Sequence, residues 1–468
     1  MESTRPCLVA DLLMMLTRRS LLLGLAAQQR PKNVLFLMAD DLNNALGCYG
    51  HPLAKTPYID ALARRGVRFD RMYCQFPLCG PSRASLLTGM RPDTTQVLEN
   101  NVDFRSHLPN AVTLPQLFKN SGHFSGRVGK LFHMNVPGEV GTNKYQDEAS
   151  WHHSFSPPGM EQRSPGEKLA TKMPGLITAN DKDQADTTGA EAAIALLEKH
   201  RAEPFFLGVG MLRPHLPWVA PGRFFDLYPA NTIPLAEQRA GDLDDVPRAH
   251  LGVRPPIWNN MGMTEAQQRE ARRGYYASTS YMDEQIGRVL SALDRLGLRE
   301  NTVVLFMGDH GWSLGEHTHW QKMNLFEEVA RVPFLLSAPG MAGNGKATSA
   351  LTEFVDVYPT VTELCGKVAP AGLEGQSMVP ILRQPKRAFK QAAFTQIQFE
   401  KRITGRSMRT ARYRYTVWEG EGGGEEVYDH QTDAGEFTNL AKTAITAKLR
   451  AQFAKGWQGA RASSYNQK

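Results

Sequence analysis

The sequence predicts an α/β fold: a mixed, mostly parallel sheet between helices, followed by a smaller C-terminal antiparallel sheet with a helix. Short runs at residues 34–38, 205–211 and 302–307 are apolar on both faces, as buried parallel strands are. Helical periodicity covers residues 181–201 and 264–296, the latter ending near Gly297. Residues 409–418 alternate in period two, which predicts one half-exposed strand of the smaller sheet.

The remaining stretches fit the same architecture. Residues 332–338 predict a further buried strand and residues 352–366 a helix. Residues 135–180 and 228–262 are rich in Pro, Gly and polar residues, which predicts long surface insertions that shape a binding site. A Gly/Glu turn at 419–426 leads to a partner strand at 426–429, and a last helix follows.

Length and charge set limits on the class of protein. The chain of 468 residues is long enough for a large α/β domain, placed at 31–400, and a small α+β domain, placed at 401–468. A net charge of +7 suits an anionic substrate, although ordinary surface variation explains it equally well. No basic patch interleaved with aromatic residues is present, so we expect no nucleic-acid partner.

The N-terminus resembles an export signal. Residues 17–27 combine paired arginines, a short apolar core and small residues, which is typical of the twin-arginine type. We therefore predict a signal over residues 1–28, a periplasmic or secreted protein, and no stable membrane insertion, because the core is too short to span a bilayer. A disordered cytosolic tail is the alternative. The five cysteines are scattered and imply no disulfide framework.

Polar residues follow the predicted parallel strands. Asp40 and Asp41 come after the first run, His215 after the second, and Asp309 and His310 after the third. In open α/β sheets ligands bind beyond the carboxyl ends of the strands, so these side chains should converge. Clustered carboxylates favour a hard cation such as Ca²⁺ or Mg²⁺, with a solvated acidic pair as the alternative.

A cysteine lies where a helix should begin. Pro81 suits the first turn and Gly89 can end the helix, so backbone N–H groups would point toward Cys79. A helix start attracts anions, and Arg83 adds donors suited to sulfate or phosphate. Cys79 could therefore be a nucleophile, a metal ligand or a precursor of another group; a structural cysteine is the alternative.

These motifs resemble those of a known family. The run Cys79-Gly80-Pro81-Ser82-Arg83, continued by Leu87-Thr88-Gly89, is similar to the activation motif of the type I (formylglycine-dependent) sulfatases. The stretches 39–43, 129–133, 213–218, 308–317 and 320–322 add matches, and the likeness covers residues 31–440. His310 replaces an Asn that many members carry and favours the iduronate-2-sulfatase branch. The resemblance implies an alkaline-phosphatase-like fold.

The resemblance also implies a metal centre and a modified residue. Cys79 would be oxidised to formylglycine by a formylglycine-generating or sulfatase-maturing enzyme. A Ca²⁺ ion would be held by Asp40, Asp41, Asp309, His310 and residue 79.

The same resemblance assigns roles around that centre. Arg83 and Lys130 would stabilise the formylglycine hydrate, and His133 would donate a hydrogen bond to it. His215 and Lys322 would contact the sulfate and protonate the departing sugar oxygen. Asp309 would act as the base that activates the hydrate for attack on sulfur.

The expected activity is hydrolysis of an O-sulfate ester on a sulfated saccharide, with 2-O-sulfated iduronate as the leading substrate. Another exo-acting polysaccharide sulfatase, for example one for algal glycans, is the first alternative. A phosphonate or phosphodiester hydrolase shares this nucleophile. A sulfated-glycan-binding protein with unmodified Cys79 is the alternative from another class.

Overall fold

The computed structural model describes residues 32–160, 168–170, 173–174, 176–178 and 180–462. Side-chain surroundings are described for residues 32–160 and 180–457. The predicted export signal at residues 1–28 lies outside these ranges.

The strands, in chain order, are β1 (Asn33–Asp40), β2 (Val67–Tyr73), β3 (Phe124–Gly129), β4 (His153–Phe155), β5 (Lys168–Ala170), β6 (Met173–Pro174), β7 (Leu176–Thr178), β8 (Phe205–Pro214), β9 (Trp218–Ala220), β10 (Thr302–Gly308), β11 (Ser313–Leu314), β12 (Trp320–Gln321), β13 (Arg331–Ser337), β14 (Ala347–Thr348), β15 (Thr352–Glu353), β16 (Ala392–Phe399), β17 (Ile403–Thr410), β18 (Tyr413–Glu419) and β19 (Gly424–Asp429).

The α-helices are α1 (Pro57–Arg65), α2 (Cys79–Thr88), α3 (Pro92–Thr95), α4 (Leu114–Asn120), α5 (Ala185–Lys199), α6 (Gly222–Asp226), α7 (Arg248–Leu251), α8 (Glu265–Arg295), α9 (Glu327–Ala330), α10 (Val357–Leu364), α11 (Val379–Arg383) and α12 (Ile445–Ala462). Short 3₁₀ turns connect many of these elements.

A nine-stranded sheet forms the centre of the larger part, in the order β14-β2-β13-β10-β1-β8-β3-β4, with β15 beside β2. Strands β10, β1, β8, β3 and β4 run parallel, whereas β13 is antiparallel to both β10 and β2. Alternate residues of β1 enter different cores: Phe36 faces one and Leu37 the other. The predicted mixed, mostly parallel sheet between helices is confirmed.

The long helices lie close to their predicted positions. Helix α8 begins after the capping box of Thr264 and Gln267, and Gly297 follows its end with a φ of 68°. The prediction for residues 352–366 was partly wrong, because Thr352–Glu353 form a strand and the α-helix covers Val357–Leu364. Thr352 pairs with Met72 in the central sheet, a partner distant in sequence that no local pattern reveals.

The smaller sheet is antiparallel, in the order β16-β17-β18-β19, and α12 packs on it. The prediction of one strand over residues 409–418 was wrong, because the chain turns at Ala411 and Arg412 between β17 and β18. Burial does not alternate on either side of the turn, since residues 407–410 and 414–416 are buried in succession. The domain boundary at 400/401 stays a prediction, and β16 of the smaller sheet precedes it.

Two further findings concern the described residues alone. None of their helices combines the length and apolar character that crossing a membrane requires. Cys48, Cys74, Cys79 and Cys365 are free thiols, as the scattered positions predicted.

Candidate active site

Neighbouring parallel strands deliver polar residues to one edge of the central sheet. Ala39 of β1 lies opposite Gly308 of β10, so Asp40 and Asp309 leave the sheet side by side. On the other side of β1, Asp40 pairs with Pro214 of β8 through a register shift, which brings His215 to the same edge. The convergence predicted from the strand ends is therefore present.

Strand β3 adds a lysine to this edge. Its last residue, Gly129, pairs with Gly210 and has a φ of 74°. A Cβ atom at Gly129 would lie 1.9 Å from the Gly210 carbonyl oxygen, so only glycine fits. The turn that follows points buried Lys130 into the site, where its Nζ donates to Asp40 Oδ2 over 2.6 Å.

Helix α2 places Cys79 at its first turn. Gly89 ends the helix in the left-handed conformation, with its N–H bonded to the Ser85 carbonyl, as predicted. The Cys79 sulfur lies 3.3 Å from His310 Nε2, 3.4 Å from Asp40 Oδ1 and 3.1 Å from Lys322 Nζ. The cysteine thus faces both carboxylate and cationic groups.

A compact set of possible ligands surrounds this sulfur. One atom each from Asp40, Asp41, Cys79 and His310 lies within 4.8 Å of the others, and all four residues are buried. Asp41 Oδ2 is buried without a hydrogen-bond partner among the described residues, and His215 Nε2 lies 3.6 Å from it. A buried carboxylate oxygen without a partner is costly. The two carboxylates and this unsatisfied oxygen fit a hard cation, whereas the His310 nitrogen is an unusual ligand for one.

Asp309 lies beside this set, with its Oδ2 3.7 Å from His310 Nε2. Its Oδ2 accepts from Arg83 Nε over 2.8 Å, and its Oδ1 accepts from the Asp41 and His310 backbone N–H groups over 3.0 Å each. Arg83 also donates to Asp40 Oδ1 over 3.3 Å and to the Lys130 carbonyl. Arg83 therefore joins the ends of β1, β3 and β10.

Lys322 reaches the site from the loop after β12. It lies between Gln321 and Met323, whose φ angles of 77° and 72° are unusual for residues other than glycine. Its Nζ donates to Asp41 Oδ1 over 2.6 Å, and the side chain is 8% exposed. Burial lowers the pKa of Lys322, but Asp41 and Cys79 outweigh it and raise the pKa, so the ammonium stays charged.

The two remaining histidines differ in their contacts. His215 borders Asp41, and burial lowers its pKa to about 4 although Asp41 and Asp40 oppose that shift. His133 bonds through Nε2 to Asn135 Oδ1 over 2.9 Å, while its buried Nδ1 has no partner among the described residues. Burial and nearby Lys130 lower its pKa to about 3.

The electrostatic balance differs between the groups at the centre: burial raises the pKa of Asp41, although His215 and Lys322 oppose that shift, whereas the surroundings of Asp40, Cys79 and His310 favour their charged forms. Burial alone would raise the pKa of Asp40, but Lys130 and His215 hold it well below its usual range. Burial and Asp40 raise the pKa of the Cys79 thiol, yet Lys130 and Lys322 bring it below the usual value. Burial lowers the pKa of His310, but Asp309 and Cys79 raise it to about 9. Such perturbed groups are typical of catalytic sites.

Two residues at this site were missed by the sequence analysis. The Tyr275 hydroxyl, on α8, donates to the Asp41 carbonyl and accepts from the Asn43 N–H over 2.8 Å each, which holds Asp41 at a φ of 62°. Nothing distinguishes this tyrosine from its helix neighbours in the sequence. Arg254 lies in the insertion at 228–262, and the charges of Cys79 and Asp41 act on its guanidinium, a proximity that no local sequence pattern reveals.

Comparison with known proteins gives consistent matches. The sequence model of the family described as Sulfatase matches residues 32–367, and that of the N-sulphoglucosamine sulphohydrolase C-terminal region matches residues 315–462. Mouse iduronate 2-sulfatase is 34% identical over 83% of this chain and 85% of its own. The Δ4,5-hexuronate-2-O-sulfatase of Bacteroides thetaiotaomicron is 31% identical over 92% of this chain and 89% of its own.

A solved structure extends the likeness to the fold. The phosphonate monoester hydrolase of Agrobacterium radiobacter superposes with a TM-score of 0.78 over 92% of this chain and 96% of that one, at 22% identity. At that identity the match concerns the architecture alone.

Proposed function

The chain belongs to the sulfatase family, and from that premise we propose that it hydrolyses the 2-O-sulfate ester of a uronate sugar in a glycosaminoglycan or related polysaccharide. We further propose that Cys79 acts as formylglycine and that the bound cation is Ca²⁺. The observation that carries the proposal is the arrangement around Cys79. The Cys79 sulfur, at the start of α2, faces the buried carboxylates of Asp40 and Asp41. One oxygen of Asp41 has no partner among the described residues, and charged lysine and arginine side chains surround the pair.

Relatives support the substrate class. The mouse and Bacteroides proteins act, by their names, on iduronate and on an unsaturated hexuronate, and both names specify the 2-sulfate. The two sugars share a carboxylate on C5, across the ring from the sulfated C2. We therefore extend this substrate class to the chain, with 2-O-sulfated iduronate first.

The described residues fit the two groups that this chemistry needs. Asp40, Asp41 and His310 would hold the cation together with residue 79, and Asp309, whose oxygens now bind Arg83 and backbone N–H groups, would complete the set. When present, formylglycine and Ca²⁺ supply a hydroxyl nucleophile and electrostatic stabilisation of the sulfate oxygens.

The cationic side chains would neutralise the substrate. Lys322 keeps its proton and lies 3.1 Å from the Cys79 sulfur, so its ammonium is placed to bind a sulfate oxygen. Arg83 and Lys130 hold Asp40 in its charged form and orient the helix start. His133, with a free Nδ1, would add a hydrogen bond at residue 79.

Proton transfer would fall to His215 and Lys322. His215 borders Asp41 and remains 16% exposed, so it lines the side from which a substrate enters. A bound sulfate adds negative charge and raises the pKa of a neighbouring imidazole. His215 can then carry the proton that the departing sugar oxygen needs. Asp309, bound to Arg83, would serve as the base at residue 79.

The proposal includes the maturation and location of the protein. A formylglycine-generating or sulfatase-maturing enzyme would act on Cys79 before the helix is buried, because the folded residue is 1% exposed. The sequence at residues 17–27 favours export, so we propose a periplasmic or secreted enzyme, with residues 31–400 as the catalytic domain and 401–468 as the small domain.

Mass spectrometry of the tryptic peptide that contains Cys79, from protein made in its native host, tests the nucleophile. A mass about 18 Da below that of the cysteine peptide is expected, because an aldehyde replaces the thiol-bearing carbon group. An intact thiol would contradict the sulfatase mechanism in that host and favour sulfated-glycan binding.

A panel of 2-, 4- and 6-O-sulfated sugars, with and without a ring carboxylate, then tests the substrate. The highest kcat/KM is expected on 2-O-sulfated uronates. A preference for an algal polysaccharide sulfate, or for a phosphonate or phosphodiester included in the panel, would contradict the substrate assignment while leaving the nucleophile in place.

A further inference from the structure

Arg254 lies at the rim of the candidate site. The preceding residue, Val253, is buried in a cluster with Leu78 and Met323, the chain neighbours of Cys79 and Lys322. This packing fixes the insertion at 228–262 against the segments that carry the nucleophile and the lysine. Arg254 is thereby brought near Cys79 and Asp41, whose charges act on it, although it is distant in sequence.

The backbone at Arg254 is held in an unfavourable conformation. Its φ of 48° and ψ of 61° are left-handed, and the proline at 255 favours an extended conformation for the residue before it. Hydrogen bonds hold the turn: the Ile257 N–H donates to the Arg254 carbonyl over 3.0 Å and Trp258 Nε1 to the Val253 carbonyl over 3.1 Å. Strain of this kind concentrates at functional sites.

The guanidinium of Arg254 has no partner among the residues that the structure describes. It is half-buried, and within the described part of the chain it makes no hydrogen bond or ion pair. Burial lowers its pKa, while the negative charges of Cys79 and Asp41 act in the opposite direction. A partly desolvated cation is normally paired, so an anion from outside the chain is its natural partner.

The other cations of the site are already engaged. Arg83 binds Asp309 and Asp40, and Lys130 and Lys322 bind Asp40 and Asp41. These groups serve the centre where the sulfate would react. Arg254 instead offers a fork of free donors, a geometry that matches a carboxylate in a bidentate pair.

We propose that Arg254 binds the ring carboxylate of the substrate and thereby selects uronates over uncharged sulfated sugars. This inference rests on the proposed function and deepens it, because a 2-O-sulfated uronate carries its two anionic groups on one ring. The carboxylate pairs with Arg254 while the sulfate lies at Cys79.

Steady-state kinetics of the matured enzyme test this. The two substrates are a 2-O-sulfated iduronate glycoside and the same sugar with its carboxylate reduced to a hydroxymethyl group. Arg254→Gln should lower kcat/KM for the uronate roughly 10- to 100-fold, the usual effect of losing a charge-assisted hydrogen bond, and leave kcat/KM for the reduced sugar unchanged. Arg254→Lys should restore part of the loss, because it keeps the charge without the fork.

Arg248→Gln provides the matched control, since this exposed arginine lies on the same insertion and its charge change is identical. It should leave both rates unchanged. In an Arg254→Gln variant with unchanged melting temperature, an equal loss of kcat/KM on both substrates, or no loss on either, would contradict the carboxylate contact of Arg254 and leave the proposed function standing. A wild-type enzyme that hydrolyses only uncharged sulfated sugars would overturn both the uronate substrate and the carboxylate contact.

Discussion

Two buried clusters of charged side chains show how the same residue types serve different ends. The catalytic cluster comprises Asp40, Asp41, Cys79, Arg83, Lys130, Asp309, His310 and Lys322 at the edge of the central sheet. The interface cluster comprises Glu327, Arg409, Arg414, His430 and Glu436, between α9 and the smaller sheet. Each contains carboxylates and histidine close enough to hold a metal ion.

The interface cluster is fully satisfied. Glu327 Oε1 accepts from the Tyr73 hydroxyl, and its Oε2 accepts from Arg409 and Arg414. Glu436 Oε1 accepts from Arg414 and His430, and its Oε2 accepts from the Glu327 N–H over 2.8 Å. Arginine therefore compensates these carboxylates without a metal ion.

The catalytic cluster differs in one respect. Asp41 Oδ2 has no hydrogen-bond partner among the described residues, and the Cys79 sulfur beside it is the group proposed for modification. When every carboxylate oxygen of a cluster has a hydrogen-bond partner, the charges hold structural elements together. A carboxylate oxygen without a partner can instead bind a ligand. Substitutions in the catalytic cluster should therefore lower activity or cation affinity, whereas substitutions in the interface cluster should lower stability.

Cys79→Ala should have the largest effect. Loss of the nucleophile should lower kcat by a factor on the order of 10⁶, as removal of a nucleophile does elsewhere, while melting temperature changes little. Kinetics with a 2-O-sulfated uronate measure kcat, and differential scanning calorimetry measures the melting temperature. Cys74→Ala, a second buried thiol nearby, is the control and should remain active. Turnover by Cys79→Ala would exclude residue 79 as the nucleophile.

Arg414→Met should affect stability instead. Removing this cation leaves buried Glu327 with Arg409 and buried Glu436 with His430 as their remaining cationic partners in the cluster, which should reduce the free energy of unfolding by about 3–5 kcal/mol. Denaturant titration measures this, and kcat of the folded variant should stay at the wild-type value. Arg402→Met, which breaks an exposed pair with Glu400, should cost about 0–1 kcal/mol. A lower kcat in the folded Arg414→Met variant would contradict the assignment of the interface cluster to stability alone.

Asp41→Asn should weaken the proposed cation site. The amide keeps the shape but loses the charge, so calcium affinity measured by calorimetry should fall roughly 100-fold, about 2.7 kcal/mol. Asp283→Asn is the matched control: this buried carboxylate accepts from the Ile59 and Tyr58 N–H groups and should leave calcium affinity unchanged. Unaltered affinity in Asp41→Asn would remove Asp41 from the ligand set.

Acid should weaken the interface cluster gradually, through protonation of Glu436. Burial raises the pKa of Glu436, but Arg414 and His430 outweigh it and lower the pKa to about 2 from a usual value of 4.5. Its contribution is therefore present above about pH 4.5 and is lost as pH falls toward 2, with a slope of about 1.4 kcal/mol per pH unit.

Denaturant titrations of wild type and Glu436→Gln between pH 2 and 5 isolate this contribution. The difference in unfolding free energy between them should shrink as the pH falls. Glu400→Gln, at an exposed position, should follow wild type. A constant difference across this range would show that Glu436 does not titrate with folding.

Local sequence patterns were sufficient to predict the helices and strands whose signals are strong. The apolar run at 34–38 became β1 because its residues are buried on both faces, and Gly89 ended α2 because glycine adopts positive φ at little cost. Patterns failed where partners are distant. The strand at Thr352–Glu353 exists through its pairing with β2, and the turn at Ala411 and Arg412 interrupts an alternation that reads as continuous.

The sequence by itself predicted the sulfatase family and a set of site residues that the fold brings together, because each of them lies at a strand end, at a helix start or in a family motif: Asp40, Asp41, Cys79, Arg83, Lys130, Asp309, His310 and Lys322. Only the tertiary structure decided that Asp309 pairs with Arg83, that Tyr275 holds Asp41, and that Arg254 comes near Cys79 and Asp41 without a hydrogen-bond partner among the described residues. The reason is physical: residue types and short spacings act locally, whereas the partner of a buried charge depends on which distant segments the fold brings into contact.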